Sequence, residues 1–341
     1  MHGGDPFSRK AAARKAAEGV QRVAQPSNPF DRFRHEQEVT VLDGGLATSL
    51  EVLGYDLADD LWSAKILLED PDALRRVHTD FLLAGADCIT AGTYQASIPG
   101  FVARGVTHER ALEVLDRAVG LAVEARDLFW SDSENHDQRL RPLVAASVGP
   151  YGAYRADGSE YTGAYGLSDD ELLDFHEGRW RVLAESAADL IGCETIPSLQ
   201  EAEVLLELLR RTPDRWAWMS FTCRDGVHLS DGNPLSAAAS MCDTGARVAA
   251  IGINCTPPEH VSELISVVRN ATEKPIIVYP NAGGRYDAGR KTWKGDVPRH
   301  DWPALVAQWR DQGASVIGGC CRVGPADISR IRDRLLHSGP S

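Results

Sequence analysis

Val248-Ala249-Ala250-Ile251-Gly252-Ile253-Asn254 is an apolar run that turns polar only at its last position, just before Cys255. A strand with one wet face alternates apolar and polar residues. A strand covered on both faces reads as one hydrophobic stretch, as in parallel sheets sandwiched between helices. Seven further runs have this character: Val39–Leu42, Ala86–Ala91, Leu143–Val148, Asp189–Glu194, Trp216–Phe221, Ile276–Tyr279 and Ala314–Gly318. Longer amphipathic segments separate them, and helices are expected at Asp72–Ala84, His108–Leu128, Asp169–Ala187, Leu199–Arg211, Pro258–Asn270 and Trp302–Asp311, several opening with Pro, Ser, Thr or Asp. Eight strand–helix pairs favour an α/β fold closed as a single (β/α)8 TIM barrel. An open doubly wound sheet is the alternative, but Asp43-Gly44-Gly45 after the first run does not make its usual Gly-rich fingerprint.

Outward from these runs, the 341-residue chain divides into a barrel over 36–338 and an N-terminal arm over 1–35. The arm carries seven Arg or Lys against Asp5, Glu18 and Asp31, and is expected to be poorly ordered or helical. The net charge of -13 argues against a nucleic-acid partner, which demands clustered basic residues. No apolar stretch approaches the length of a membrane span. Seven cysteines scattered through a large chain with no secretory signal read as reduced thiols in a cytoplasmic protein. Oligomeric state is not legible.

In a βα barrel the active site is built at the C-terminal ends of the strands. Those ends carry Asp43-Gly44-Gly45, Thr90 and Tyr94, Cys193-Glu194-Thr195, Asn254-Cys255, Asn281, and Gly318-Gly319-Cys320-Cys321. A lone buried cysteine is usually a small inert hydrophobe, which suffices for Cys88, Cys193, Cys223 and Cys242. Cys255, Cys320 and Cys321 share one mouth, and three thiolates suit Zn²⁺ with a fourth position left open. Neighbouring residues on a regular strand face opposite ways, so Cys320 and Cys321 can meet one ion only if the backbone leaves extended geometry, for which Gly318 and Gly319 give latitude.

Glu194 could hold a substrate ammonium or pair with a local Arg or Lys, and Asp43 is ambiguous in the same way, a turn being its other use. Asn254 and Asn281 are candidate donors to a substrate carboxylate. Gly149 to Leu167 forms the longest loop, in which Tyr154, Tyr161 and Tyr165 could stack on a cation or pin the loop. A Schiff-base aldolase would need a strand lysine, and none of the eight runs has one. A non-catalytic zinc or thiol redox-sensing barrel is the other rival. It would want a fourth protein ligand or a CxxC pair, which the chain lacks.

From Glu38 to Leu336 the chain resembles the homocysteine S-methyltransferase family. The resemblance rests on LDGGLAT at Leu42–Thr48, GPYGAY and DGSEYTGAYG within Gly149–Gly166, CETIPSLQEAE at Cys193–Glu203, GINC at Gly252–Cys255, YPNAGG at Tyr279–Gly284 and GGCCR at Gly318–Arg322. It is nearest the short members that use S-methylmethionine or S-adenosylmethionine. It implies zinc on Cys255, Cys320 and Cys321, and a homocysteine site at Asp43 and Gly44, Tyr94 or Thr90, and Glu194. The implied reaction is methyl transfer from a sulfonium to the homocysteine thiol, giving methionine. Gly284 stands where the family usually has glutamate.

Overall fold

The computed structural model describes residues 27–59, 61–287, 292–295 and 300–337; the arm's first 26 residues lie outside these. Eight parallel strands follow one another around a ring: β1 (Thr40–Val41), β2 (Cys88–Thr90), β3 (Leu143–Val148), β4 (Leu190–Ile196), β5 (Ala217–Phe221), β6 (Val248–Asn254), β7 (Ile276–Tyr279) and, after a hairpin formed by β8 (Arg285–Asp287) and β9 (Thr292–Lys294), β10 (Ala314–Ile317). Each pairs with its sequence neighbour in the barrel, and β1 pairs with β10. The ring closes where Leu42 bridges Cys88, with Asp87 N donating to Val41 O at 2.7 Å and Asp43 N to Cys88 O at 3.1 Å. The TIM barrel anticipated from the apolar runs is therefore the fold, and a closed ring leaves no unpaired sheet edge.

The helices start where the sequence supplies an acceptor for their first backbone N–H groups. Thr107 caps His108–Ser131, Ser168 forms a capping box with Glu171 ahead of Asp169–Glu185, and Ser198 caps Leu199–Arg211. Shorter helices that sequence periodicity did not reveal include Leu46–Val52, Ile98–Ala103, Leu235–Asp243 and Pro325–Arg332. They are too brief for a 3.6-residue repeat to establish itself.

Two apolar layers result. One lies between strands and helices, and the other fills the barrel with Leu42, Cys88, Ala145, Leu190, Trp218, Ile277, Tyr279 and Val316. Phe30 belongs to that inner layer, fully buried with its ring centroid 6.2 Å from Trp218, while Asn28 Nδ2 donates to Ala249 O at 2.8 Å. The helix Asp31–Gln37 buries Phe33 behind it. The boundary expected at residue 36 thus moves to about Asn28: Phe30 plugs the barrel, and burying such a ring contributes about 1.5–3 kcal/mol. Gly192 makes room at the centre, since a Cβ there would lie 2.4 Å from the Trp218 ring.

Candidate active site

Strand β6 stops because Cys255 takes a left-handed backbone conformation with φ 48°, which no strand can continue. Its N–H still reaches Tyr279 O at 3.2 Å, so the side chain is held at the mouth beside β7. On the other flank β10 ends at Ile317, and the next residues are tethered singly: Gly318 N to Val278 O (3.0 Å), Gly319 N to Asp43 O (3.1 Å) and Cys320 N to Pro280 O (2.8 Å). Extended geometry is gone before the cysteine pair, and both sulfurs turn to Cys255. The Cys255–Cys320 Sγ separation is 3.1 Å and the Cys255–Cys321 separation 3.6 Å.

The adjacent glycines act differently from the backbone latitude expected of them. Neither Gly318 nor Gly319 has a positive φ; the left-handed residue is Arg322 at 67°. What they permit is close approach, because a Cβ on Gly318 would sit 2.6 Å from Leu42 Cβ and one on Gly319 2.2 Å from Val323 Cγ1.

Cys255, Cys320 and Cys321 place one sulfur each within 4.8 Å of the others, the one such group of potential metal ligands among the described residues. Tetrahedral zinc with sulfur bonds near 2.3 Å requires sulfur–sulfur edges of about 3.8 Å. Separations of 3.1 and 3.6 Å need only a small opening to accept the ion, so the donor set fits. Hydrogen bonds from the Cys320 and Cys321 thiols hold the Cys255 thiol well below its ordinary pKa, the response of two thiols packed around one thiolate.

The sulfurs open onto a cavity of about 1050 Å³, counted out into the solvent at its mouth, whose lining contains no Lys, Arg or His among the described residues. Three of its acids are buried. Asp43 accepts from Thr90 N at 2.7 Å and Thr90 Oγ1 at 3.0 Å, and burial raises its pKa to about 8 despite those bonds. Glu194 accepts from Ser147 Oγ and from Tyr279, yet burial lifts it to about 7. Glu160, on the loop after β3, is likewise raised by burial to about 7. Three carboxyls held partly neutral by burial make the cavity receptive to cations. Among the described residues, no Arg or Lys of the kind considered as a partner for Glu194 lines the cavity.

Residues 40–335 match the family model for homocysteine S-methyltransferase. The chain belongs to the homocysteine S-methyltransferase family. It is 48% identical to homocysteine S-methyltransferase YbgG of Bacillus subtilis, over 89% of this chain and 96% of that protein. It is 43% identical to the homocysteine S-methyltransferase of Escherichia coli, over 90% and 99%. The crystal structure of the metallated form of the E. coli homocysteine methyltransferase MmuM superposes with a TM-score of 0.81 at 41% identity, covering 90% of this chain and all of that one. This methyltransferase is therefore an enzyme, and the redox-sensing reading gives way.

Within this homocysteine S-methyltransferase, the cavity is lined by Asp43, Gly44, Thr90, Tyr94, Glu194, Cys255, Cys320 and Cys321, all singled out from sequence. Asn254 and Asn281 do not line it. Asn254 is wholly buried, its Oδ1 accepting from Thr195 N (2.7 Å) and Ser220 Oγ (3.0 Å) and its Nδ2 donating to Thr195 Oγ1 (2.8 Å). Asn281 donates to Cys255 O at 3.2 Å and accepts from Gly283 N at 2.9 Å. Both amides brace the turns that carry the sulfurs, and neither side chain reaches the cavity where the carboxylate-binding role expected of them would be performed. Of the loop tyrosines, Tyr161 enters the site. Tyr165 is tied to Glu201 at 3.1 Å, and Tyr154 packs on Tyr151 and Phe175. Gly284, where the family usually has glutamate, has φ 87° and lies outside the lining, so the turn itself favours glycine there. Trp62, Gln95, Glu160 and Thr195 also line the cavity. Their segments have no strand-end signal from which sequence reading could have nominated the first three.

Proposed function

We propose that this chain transfers a methyl group from a sulfonium donor, S-methylmethionine or S-adenosylmethionine, to homocysteine, with zinc held by Cys255, Cys320 and Cys321. The observation that carries the reading is the convergence of three cysteine sulfurs at a cavity lined by buried acids and, among the described residues, by no basic side chain. Zinc bound there would keep a thiol ligand deprotonated at neutral pH, supplying a nucleophilic sulfur.

The protein's own residues do the positioning. Thr90 fixes Asp43, and Ser147 and Tyr279 fix Glu194, so two carboxylates stand ready for the homocysteine ammonium at the barrel's floor. The homocysteine thiol releases its proton to solvent on binding, its sulfur then forms the new C–S bond to the methyl carbon, and the donor sulfur keeps the electron pair of the C–S bond that breaks. A cationic donor becomes neutral in that step. Acidic walls hold it in line beforehand and release the neutral product afterwards. Asn254 and Asn281 keep the sulfurs placed, and Tyr161 covers them. Thiols used in this way need a reducing compartment, which the cytosol provides. Among the described residues no helix is long and apolar enough to cross a membrane.

The test is to purify the protein, measure zinc, and follow methionine formation from homocysteine with each donor, beside a Cys255→Ser variant. About one zinc per chain with turnover is expected, and loss of both in the variant. Full activity of metal-free protein would sink the metal assignment; zinc without turnover on any sulfonium would sink the reaction.

A further inference from the structure

Glu160 is over nine-tenths buried and lines the cavity, yet its Oε2 has no hydrogen-bond partner. It is the one carboxylate oxygen in that condition among the described residues. An orphaned buried carboxylate oxygen is costly, and proteins keep such groups where a ligand completes them. All three buried acids of the cavity are held by the protein, Asp43 and Glu194 at strand ends by Thr90 and by Ser147 and Tyr279, and Glu160 by the backbone of Gly158 and of its own residue. Of the three, Glu160 alone keeps a buried oxygen without a partner. Glu160 comes instead from the short helical turn Ser159–Tyr161 in the loop that lies over the mouth. The loop is closely packed there: Gly152 approaches so closely that a Cβ on it would lie 2.2 Å from Glu160 N. Next to it, the Tyr161 hydroxyl stands 3.8 Å from Cys255 Sγ.

The geometry points to Glu160 as the carboxylate that receives the α-ammonium group of the methyl donor, making the enzyme selective for amino-acid sulfoniums over sulfoniums lacking that amine. This inference rests on the sulfonium-donor reading above and deepens it. Two amino-acid substrates meeting at one cavity bring two ammonium groups. Asp43 and Glu194 serve the one whose thiol must reach the cysteine cluster from the floor, and a donor arriving through the mouth meets Glu160 with its Oε2 unspent. No covalent step is asked of it. Its role is to orient the donor so that the methyl group faces the acceptor sulfur.

The probes are S-methylmethionine and its deamino analogue, 4-(dimethylsulfonio)butanoate, titrated calorimetrically into the purified protein with its metal, for wild type, Glu160→Gln and Glu160→Asp. Wild type is expected to prefer the amino acid by roughly 10- to 100-fold, the range for a hydrogen bond to a charged group. The preference should vanish in Glu160→Gln and survive in part in Glu160→Asp, which also reports that the loop still folds. The homocysteine KM should be unchanged in all three. A preference that persists in Glu160→Gln, an equal loss of both sulfoniums, or a raised homocysteine KM would each overturn the assignment. The binding comparison needs no turnover. Failure of the reaction reading would leave the affinity gap intact, and failure of this inference would leave methionine formation intact.

Discussion

The hydroxyl of Tyr161 stands 3.8 Å from Sγ of Cys255, joining the loop after β3 to the turn after β6 across the cavity. Burial, reinforced by the charge at Cys255, pushes the Tyr161 hydroxyl well above its ordinary pKa, so it stays protonated and donates to the sulfur. One neutral donor to an anionic sulfur is a modest interaction, whereas the ring closes the site over the cluster. Tyr161→Phe should therefore keep the proposed zinc and lower kcat by no more than about tenfold. Tyr161→Ala should cost clearly more, because water then reaches the sulfurs. Metal content and steady-state rates of the two variants check this; equal losses would show the hydroxyl, and not the ring, to be what matters.

What seats that loop lies behind it. Glu201 is fully buried and accepts from Tyr151 N at 2.6 Å and Tyr165 OH at 3.1 Å, with His176 Nε2 at 2.8 Å. His176 Nδ1 meets Arg179 Nη2 at 2.8 Å, and Arg179 also donates to Gly149 O at the start of the loop. Burial pushes the Arg179 pKa down to about 10, and the Glu201 charge opposes that. Glu201→Gln leaves a buried guanidinium uncompensated, a loss of about 3–5 kcal/mol. A lowered melting temperature is expected together with a drop in kcat/KM at unchanged zinc content, since no sulfur moves. A variant that melts like wild type would show the network to be dispensable.

How much of this the sequence discloses depends on whether a residue's use leaves a periodic trace. β3, β6 and β7 match their apolar runs end for end, and so do the helices Leu199–Arg211 and Trp302–Asp311, because burial on both faces or on one helical stripe writes itself along the chain. The three site cysteines were legible for a related reason: a strand end is a defined place, and a thiol there has no packing duty. Phe30 was hidden by its setting, a basic and Ala-rich segment whose composition masks two buried aromatics. Asn254 misled because a polar strand-end residue usually faces the ligand, whereas the left-handed turn at Cys255 leaves it inside, bonded to Thr195 and Ser220. Glu160 sits mid-loop, where no repeat distinguishes an acid turned inward from one in water.

His78, on the helix Pro71–Leu83, is fully buried with neither ring nitrogen partnered, and burial lowers its pKa from 6.5 to about 4. Because the folded value lies below the unfolded one, the stability it allows is present above pH 6.5 and is lost as pH falls toward 4. His176, lowered to about 4 by burial and by Arg179, has the same sign. Asp43, at about 8, has the opposite one: its folded value is raised, so burying it costs least in acid, and in metal- and ligand-free protein it partly offsets the histidines there. A bare pH–stability curve therefore mixes the signs, and a substitution at one residue separates them. His78→Leu removes two unpaired polar atoms at similar volume and should stabilise the protein at pH 7.5 by about 1–3 kcal/mol. Its advantage over wild type should widen steadily below pH 6.5 and level off near pH 4. Denaturant melts of both proteins at half-unit pH steps measure the gap. A gap constant with pH would mean that His78 does not titrate in the folded protein as its burial requires.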